Sequence, residues 1–126
     1  MSLPFLHGRI ATALALFTLA AGVYGLAEYL RKKPISPRYW GLITFGNLLA
    51  LSQAGLGGWM ALQGGQPTRG WLHMLYGVVA ALWIPAIRFL SPNFSKPNRA
   101  GRDATLTCAL VSLLEFAIAL SAIGTA

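Results

Sequence analysis

Four apolar stretches separated by three short polar breaks constrain what this chain can fold into. They run over about 5–30, 39–62, 70–90 and 103–124, and each approaches or exceeds the roughly 20 apolar residues that a helix needs to cross a bilayer core. The breaks are Arg31-Lys32-Lys33-Pro34-Ile35-Ser36-Pro37, then Gln63-Gly64-Gly65-Gln66-Pro67-Thr68-Arg69, then Ser91 to Arg102 with Pro92, Pro97 and Gly101. Each holds the proline or glycine that interrupts a helix. Ser36 before Pro37 is a helix start signal, and Asp103 is placed to cap the fourth stretch in the same manner. The expected fold is all-α, a single four-helix membrane domain over residues 1–126. Connections this short make consecutive helices antiparallel neighbours, so an up-down-up-down bundle is the simplest topology. The first and third helices are then diagonal and parallel.

Composition agrees with a bilayer setting. Of 126 residues, 56% are hydrophobic and 10% charged, and the mean hydropathy of +0.59 is far above that of a soluble domain. The net charge of +7 does not point to nucleic acid, because the basic residues sit in gaps between apolar runs and are not interleaved with aromatics on a polar face. The lone Cys108 excludes an internal disulfide and a thiol-based metal site built from this chain. A cleaved signal peptide in the first stretch is disfavoured. Its basic cluster, Arg31-Lys32-Lys33, follows the apolar run instead of preceding it.

Charge also orients the chain. Arg31, Lys32, Lys33, Arg38, Arg88, Lys96, Arg99 and Arg102 fall on one side, which leaves only Arg9 and Arg69 of the ten basic residues on the other. The positive-inside rule puts both termini on the outer side, and a bacterial-type cytoplasmic membrane is the expected location. Trp59 and Trp71 then belong to an outer aromatic belt, with Tyr29, Tyr39, Trp40 and Phe89 in the inner one. Gly46, Ala50, Ala54 and Gly58 recur every four positions and form a low ridge for close helix approach, within the chain or against another membrane subunit.

The chain has two histidines, His7 and His73, and each opens an apolar stretch. If the first and third helices run the same way, both imidazoles lie at one depth near the outer face. His7 shares its helical face with Ala11, Leu14, Thr18, Ala21, Gly25 and Glu28, which are mostly small or polar; His73 shares its face with Tyr76, Gly77, Ala80, Ile84 and Ile87. Both faces suit the bundle interior. Two imidazoles on diagonal helices could clamp a haem through both axial positions, with Gly8 and Gly77 sparing room for the porphyrin and Arg9 or Arg69 pairing with its propionates. Two other readings stay open: interfacial histidines bonded to headgroups, water or a neighbouring chain, and a chlorophyll or other metal on one histidine.

Glu115 lies halfway along the fourth stretch, with Gln53 at a similar depth on the second. The structural reading is a protonated acid bonded to Gln53 or to a backbone carbonyl as interhelical glue, and the functional one is a proton relay or quinone-site acid. The structural reading is preferred, since no second acid shares that depth. Glu28 reads as an interfacial partner of Arg31 or Lys32. Tyr24, Tyr76 and Trp83 read as packing residues, and Pro85 as a kink in the third helix.

Leu6-His7-Gly8-Arg9 and Leu72-His73-Met74-Leu75, on the first and third helices of a four-helix unit, resemble one half of a haem A synthase, a family built from two four-helix halves. The resemblance implies that His7 and His73 are an axial pair; no other position transfers. It carries haem binding and not haem modification, because the chain has one half only, no glutamate shortly before His7 and no cysteine pair in an outer loop. Small multidrug transporters are less similar, since their glutamate lies mid-membrane in the first helix, whereas Glu28 is near its end. The leading expectation is a non-enzymatic membrane protein with one bis-histidine haem b in electron transfer. The alternative is an accessory subunit of a respiratory or photosynthetic membrane complex, docked through the Gly46 to Gly58 ridge, and the minor one is a small transporter.

Overall fold

The computed structural model describes residues 1–34, 36–90 and 102–126, with side chains in the last segment from Thr105 onward. It contains α1 (Leu3–Leu30), α2 (Pro37–Leu62), α3 (Trp71–Leu90) and α4 (Arg102–Gly124), and no strand among the described residues. The ends fall within two residues of those expected from the breaks. The third break with Lys96 and Arg99, the Arg102 side chain and the Asp103 cap lie outside the described residues.

Local chemistry sets the ends that are described. Ser36 is extended and its Oγ accepts from the Tyr39 N–H at 3.3 Å, with Pro37 at the first helical position, which is the start signal read from the sequence. The ends of α1 and α2 close alike. Lys33 N–H donates to Glu28 O and Lys32 N–H to Tyr29 O, as Gly65 does to Met60 O and Gly64 to Ala61 O. This double cap needs a left-handed residue, which is Gly64 at φ +86° in one case and Lys32 at φ 58° in the other. Helix α3 continues through Pro85.

Each of α1 and α3 packs against both α2 and α4. Side-chain contacts give the relative directions. The start of α1 meets the later part of α2 at His7 and Gln53, the end of α3 meets the start of α2 at Arg88 and Thr44, and the start of α3 meets the end of α4 at His73 and Ala122. Thr105 near the start of α4 donates to Lys33 O, just past α1. Each of these pairs is antiparallel.

Two clusters fill the interior. One joins Leu14, Ala15, Ala50 and Ala119 toward the histidine end, and the other joins Ala21, Tyr39, Ile43, Ile84, Cys108 and Val111 toward the opposite end. Small residues of α1 let α4 and α2 approach closely. A Cβ on Gly22 would stand 2.5 Å from Leu113 Cδ2, and one on Gly25 would stand 2.5 Å from Tyr39 Oη. The aromatic belt needs one correction. Tyr39 is buried and its hydroxyl is shared with Ser112 Oγ at 3.2 Å, because the small Gly25 opposite makes room for its ring inside the bundle. The ridge on α2 divides: Gly46 and Ala50 are buried, Gly46 facing Phe17 and Thr18 of α1, while Ala54 is half-buried and Gly58 exposed.

Outside this core, every helix presents large apolar side chains, among them Leu16, Val23, Phe45, Leu48, Val78, Leu82, Leu110 and Leu120. Three helical segments, Leu3–Leu30, Trp71–Leu90 and Thr105–Gly124, are long and apolar enough to cross a membrane. Helix α2 carries Asn47, Ser52, Gln53 and five glycines, which dilute its hydropathy.

Candidate functional site

The bundle brings the two histidines together. Set one turn into α1 and within the first turn of α3, His7 and His73 stand with ring centroids 5.9 Å apart and planes at 67°. Both are half-buried. Both line a cavity of about 90 Å³ together with Gly8, Gln53 and Gly77, with the remaining wall made of small or aliphatic residues such as Ala11, Ala80 and Ala119.

Hydrogen bonding assigns the nitrogens. His73 Nδ1 lies 2.9 Å from Ala122 O. A carbonyl only accepts, so Nδ1 carries the proton and Nε2 of the neutral ring keeps its lone pair. Thr125 Oγ1 is 3.4 Å from the same nitrogen and donates to the Ser121 and Ala122 carbonyls, so the C-terminal end of α4 holds the ring through Nδ1. His7 Nε2 lies 3.1 Å from Gln53 Nε2, while His7 Nδ1 and Gln53 Oε1 are buried without a partner. With the amide in this orientation, it donates and the ring accepts. Turned over, the Gln53 oxygen accepts from His7 Nε2–H and Nδ1 becomes a bare lone pair. In both arrangements Nδ1 is the His7 nitrogen that no protein group takes.

The other expected site residues fall as follows. Gly8 and Gly77 both line the cavity, and a Cβ on either would meet nothing within 4 Å. Arg9 is exposed, its guanidinium 5.9 Å from the Phe5 ring centroid. Arg69 is exposed and its backbone N–H donates to Thr125 O at 3.3 Å. Neither arginine lines the cavity. Glu28 is 3.8 Å from Arg31.

The expected Gln53 to Glu115 bond is absent. Gln53 projects toward α1 and is taken by His7, and Glu115, 0% exposed, has no hydrogen-bond partner on either oxygen among the described residues. Helices α2 and α4 are diagonal, and only where a side chain turns into the interior, as Tyr39 does toward Ser112, do they meet; Gln53 turns to α1 instead. The roles of Gln53, Ala122 and Thr125 toward the histidines are not legible in the sequence. A backbone carbonyl carries no side-chain signal, and the Gln53 pairing depends on a register between α1 and α2 that hydropathy does not set.

Chemically, the site is two imidazoles beside a small cavity of low polarity, each with one nitrogen outside any protein hydrogen bond, and the Cε1 edge of His7 is packed toward Gly57 of α2. Among the described residues no group of three His, Cys, Asp or Glu stands together. Comparison with known proteins found no family model, no curated protein and no solved structure that matches this chain.

Proposed function

We propose that the chain is a four-span integral membrane protein that binds one b-type haem between His7 and His73, near the outer face, and exchanges electrons there. The approach of the two rings to 5.9 Å across diagonal helices carries this reading. About 2 Å from each nitrogen to a metal, plus roughly one ring radius on each side, spans a similar distance. Ligand number favours haem over a bare ion. A structural ion asks for about four protein ligands, whereas haem iron brings its four porphyrin nitrogens and needs only an axial pair. The enclosed volume of about 90 Å³ is smaller than a porphyrin, so the helices would have to part to admit one, with open space beside Gly8 and Gly77. Arg9 and Arg69 remain the cations at that end for the propionates.

The short connections support four spans in an up-down-up-down order, and the charge asymmetry supports both termini outside. With a single haem on one side, the protein does not carry electrons across the membrane; it exchanges them with a quinol or a larger partner at the outer side. A second reading is compatible with the first. Helix α2 is the least apolar of the four and leaves Gly58 open at its surface, which fits an accessory subunit docked through the exposed end of the ridge.

Reduced-minus-oxidised spectra of the detergent-purified protein test the haem reading. The wild type should show a low-spin b-type signal that His7→Ala and His73→Ala both lose; no haem absorbance in the wild type would sink it. Stoichiometric larger subunits after mild solubilisation support the accessory role, and a clean monomer counts against it.

A further inference from the structure

Glu115 stands halfway along α4 between the two interior clusters, fully buried and with both oxygens unbonded among the described residues. Neither protonation state suits such a place. A carboxylate there lacks a donor or cation, and a bare buried charge is among the costliest groups to hold inside a bundle. An acid there carries an O–H without the acceptor that glue between helices would give it. A partner that the protein does not itself supply accounts for both states, and the surroundings limit what that partner can be.

Toward the histidine end, Ala119 shares the Glu115 face of α4 one turn away, about 6 Å of helical rise. Ala119, Leu14 and Ala50 form the floor of the cavity beside His7 and His73. Two of the three are alanines, so little bulk separates the carboxyl from a space of about 90 Å³, which has room for water. Gln53 and the two imidazoles are the polar groups on its wall. Toward the opposite end, Ser112 lies one turn from Glu115 and is tied to Tyr39 at 3.2 Å, with Ile43, Ile84, Cys108 and Val111 packed around that pair. The three floor residues are themselves buried, which leaves no passage for a substrate or a hydrated ion. Water and a proton are small enough.

We propose that Glu115 is an internal proton-binding site that exchanges with the aqueous phase at the histidine end through this cavity. Hydronium delivered along water in the cavity gives up one proton, an O–H bond forms on the carboxylate, and a water molecule is left behind; release runs the same path in reverse. No oxidant, reductant or haem takes part. The other titratable and charged groups along this column are His7 on α1 and His73 on α3 on one side, and Tyr39 on α2 and Cys108 on α4 on the other. Beyond the latter, Glu28 of α1 stands 3.8 Å from Arg31, and Arg88 of α3 lies over Trp40 and donates to Thr44.

Infrared spectra of the purified protein in lipid nanodiscs, titrated against pH, test the site. The wild type should show a carboxylic-acid C=O band that shifts in heavy water, is lost as pH rises and is missing from Glu115→Gln. Gly8→Leu and Gly77→Leu place bulk in the mouth of the cavity, where an added Cβ meets open space, and should slow the deuterium shift of that band several-fold. Tyr39→Phe, on the opposite side, should leave its rate unchanged. A wild type without such a band, or a band indifferent to pH, overturns the proposal; so does exchange that is unaltered in both leucine variants or quickened in Tyr39→Phe. Should Glu115→Gln fail to fold, the assignment comes from isotope-labelled glutamate in Glu28→Gln, since Glu28 and Glu115 are the only glutamates in the chain. A labelled band that stays in the carboxylate region at every pH overturns the proposal.

Discussion

His7 and His73 meet edge to face at 5.9 Å, although they come from helices whose backbones are kept apart by α2 and α4. Each ring is held from a different flanking helix, His7 by Gln53 of α2 and His73 by the Ala122 carbonyl of α4. The pair is therefore assembled by all four helices, and its geometry depends on the register of each.

Gln53 is the most direct test of that dependence. Replacing a group that orients a metal-binding histidine typically lowers affinity by about 10–100-fold. Gln53→Leu should weaken haem binding in that range in titrations of the apoprotein while leaving the far-UV circular dichroism unchanged. Ser52→Leu is the control, since the Ser52 hydroxyl is exposed and donates to the Leu48 carbonyl of its own helix. Equal affinity for Gln53→Leu and the wild type would show that the His7 orientation does not need the amide.

Much of this architecture is legible in the residues. The helices end at the signals that Pro, Gly and the Ser36 cap provide, and the small face of α1 that holds Leu14, Thr18, Ala21 and Gly25 is the buried one. Both signals are local and periodic, so they survive without knowledge of the partners. Gln53 and Tyr39 are misread from sequence for the opposite reason. Depth alone pairs Gln53 with Glu115 on the diagonal helix, and a position near a helix end puts Tyr39 at the interface. Which neighbour a side chain meets depends on helix rotation and on gaps such as the one above Gly25, which no single segment encodes.

The glycines divide into two classes that substitution should separate. At Gly25 an added Cβ meets the Tyr39 ring, whose rigid atoms lie at 2.5 to 3.1 Å, so Gly25→Ala should destabilise the bundle by about 1–3 kcal/mol, the usual range for overpacking. At Gly8 and Gly77 the space is open. Gly8→Leu and Gly77→Leu should leave the apoprotein as stable as the wild type and reduce its haem loading. Thermal unfolding in detergent combined with haem occupancy reads both. Full occupancy in the two leucine variants would place the porphyrin elsewhere.

The Tyr39 to Ser112 hydrogen bond ties α2 to α4 across the interior. Interhelical hydrogen bonds in membrane proteins contribute modestly, averaging about 0.6 kcal/mol in double-mutant cycles. Tyr39→Phe, Ser112→Ala and the double variant should give a coupling of about 0.5–1 kcal/mol in reversible unfolding, within the range for a net hydrogen bond. Coupling near zero would mean that the tyrosine is held by the fit of its ring against Gly25, not by its hydroxyl.

Cys108 makes the orientation directly measurable. It is 0% exposed, and a thiol enclosed in apolar packing is inert to polar reagents, so the native cysteine can stay while reporters are added. Gln66 and Lys33 are both exposed and lie in the connections at opposite ends of the bundle. With the basic side facing the cytoplasm, Gln66→Cys should react with a membrane-impermeant maleimide on intact cells, and Lys33→Cys only after permeabilisation. The wild type should stay unlabelled in both conditions. The reverse pattern would invert the protein and put the histidine pair at the cytoplasmic face, and labelling of both sites on intact cells would break the four-span arrangement. A thermodynamic reason favours the first pattern: Arg31, Lys32, Lys33 and Arg38 cluster within one short connection, whereas Arg69 stands alone in the next, and short basic loops resist translocation far more than acidic or neutral ones.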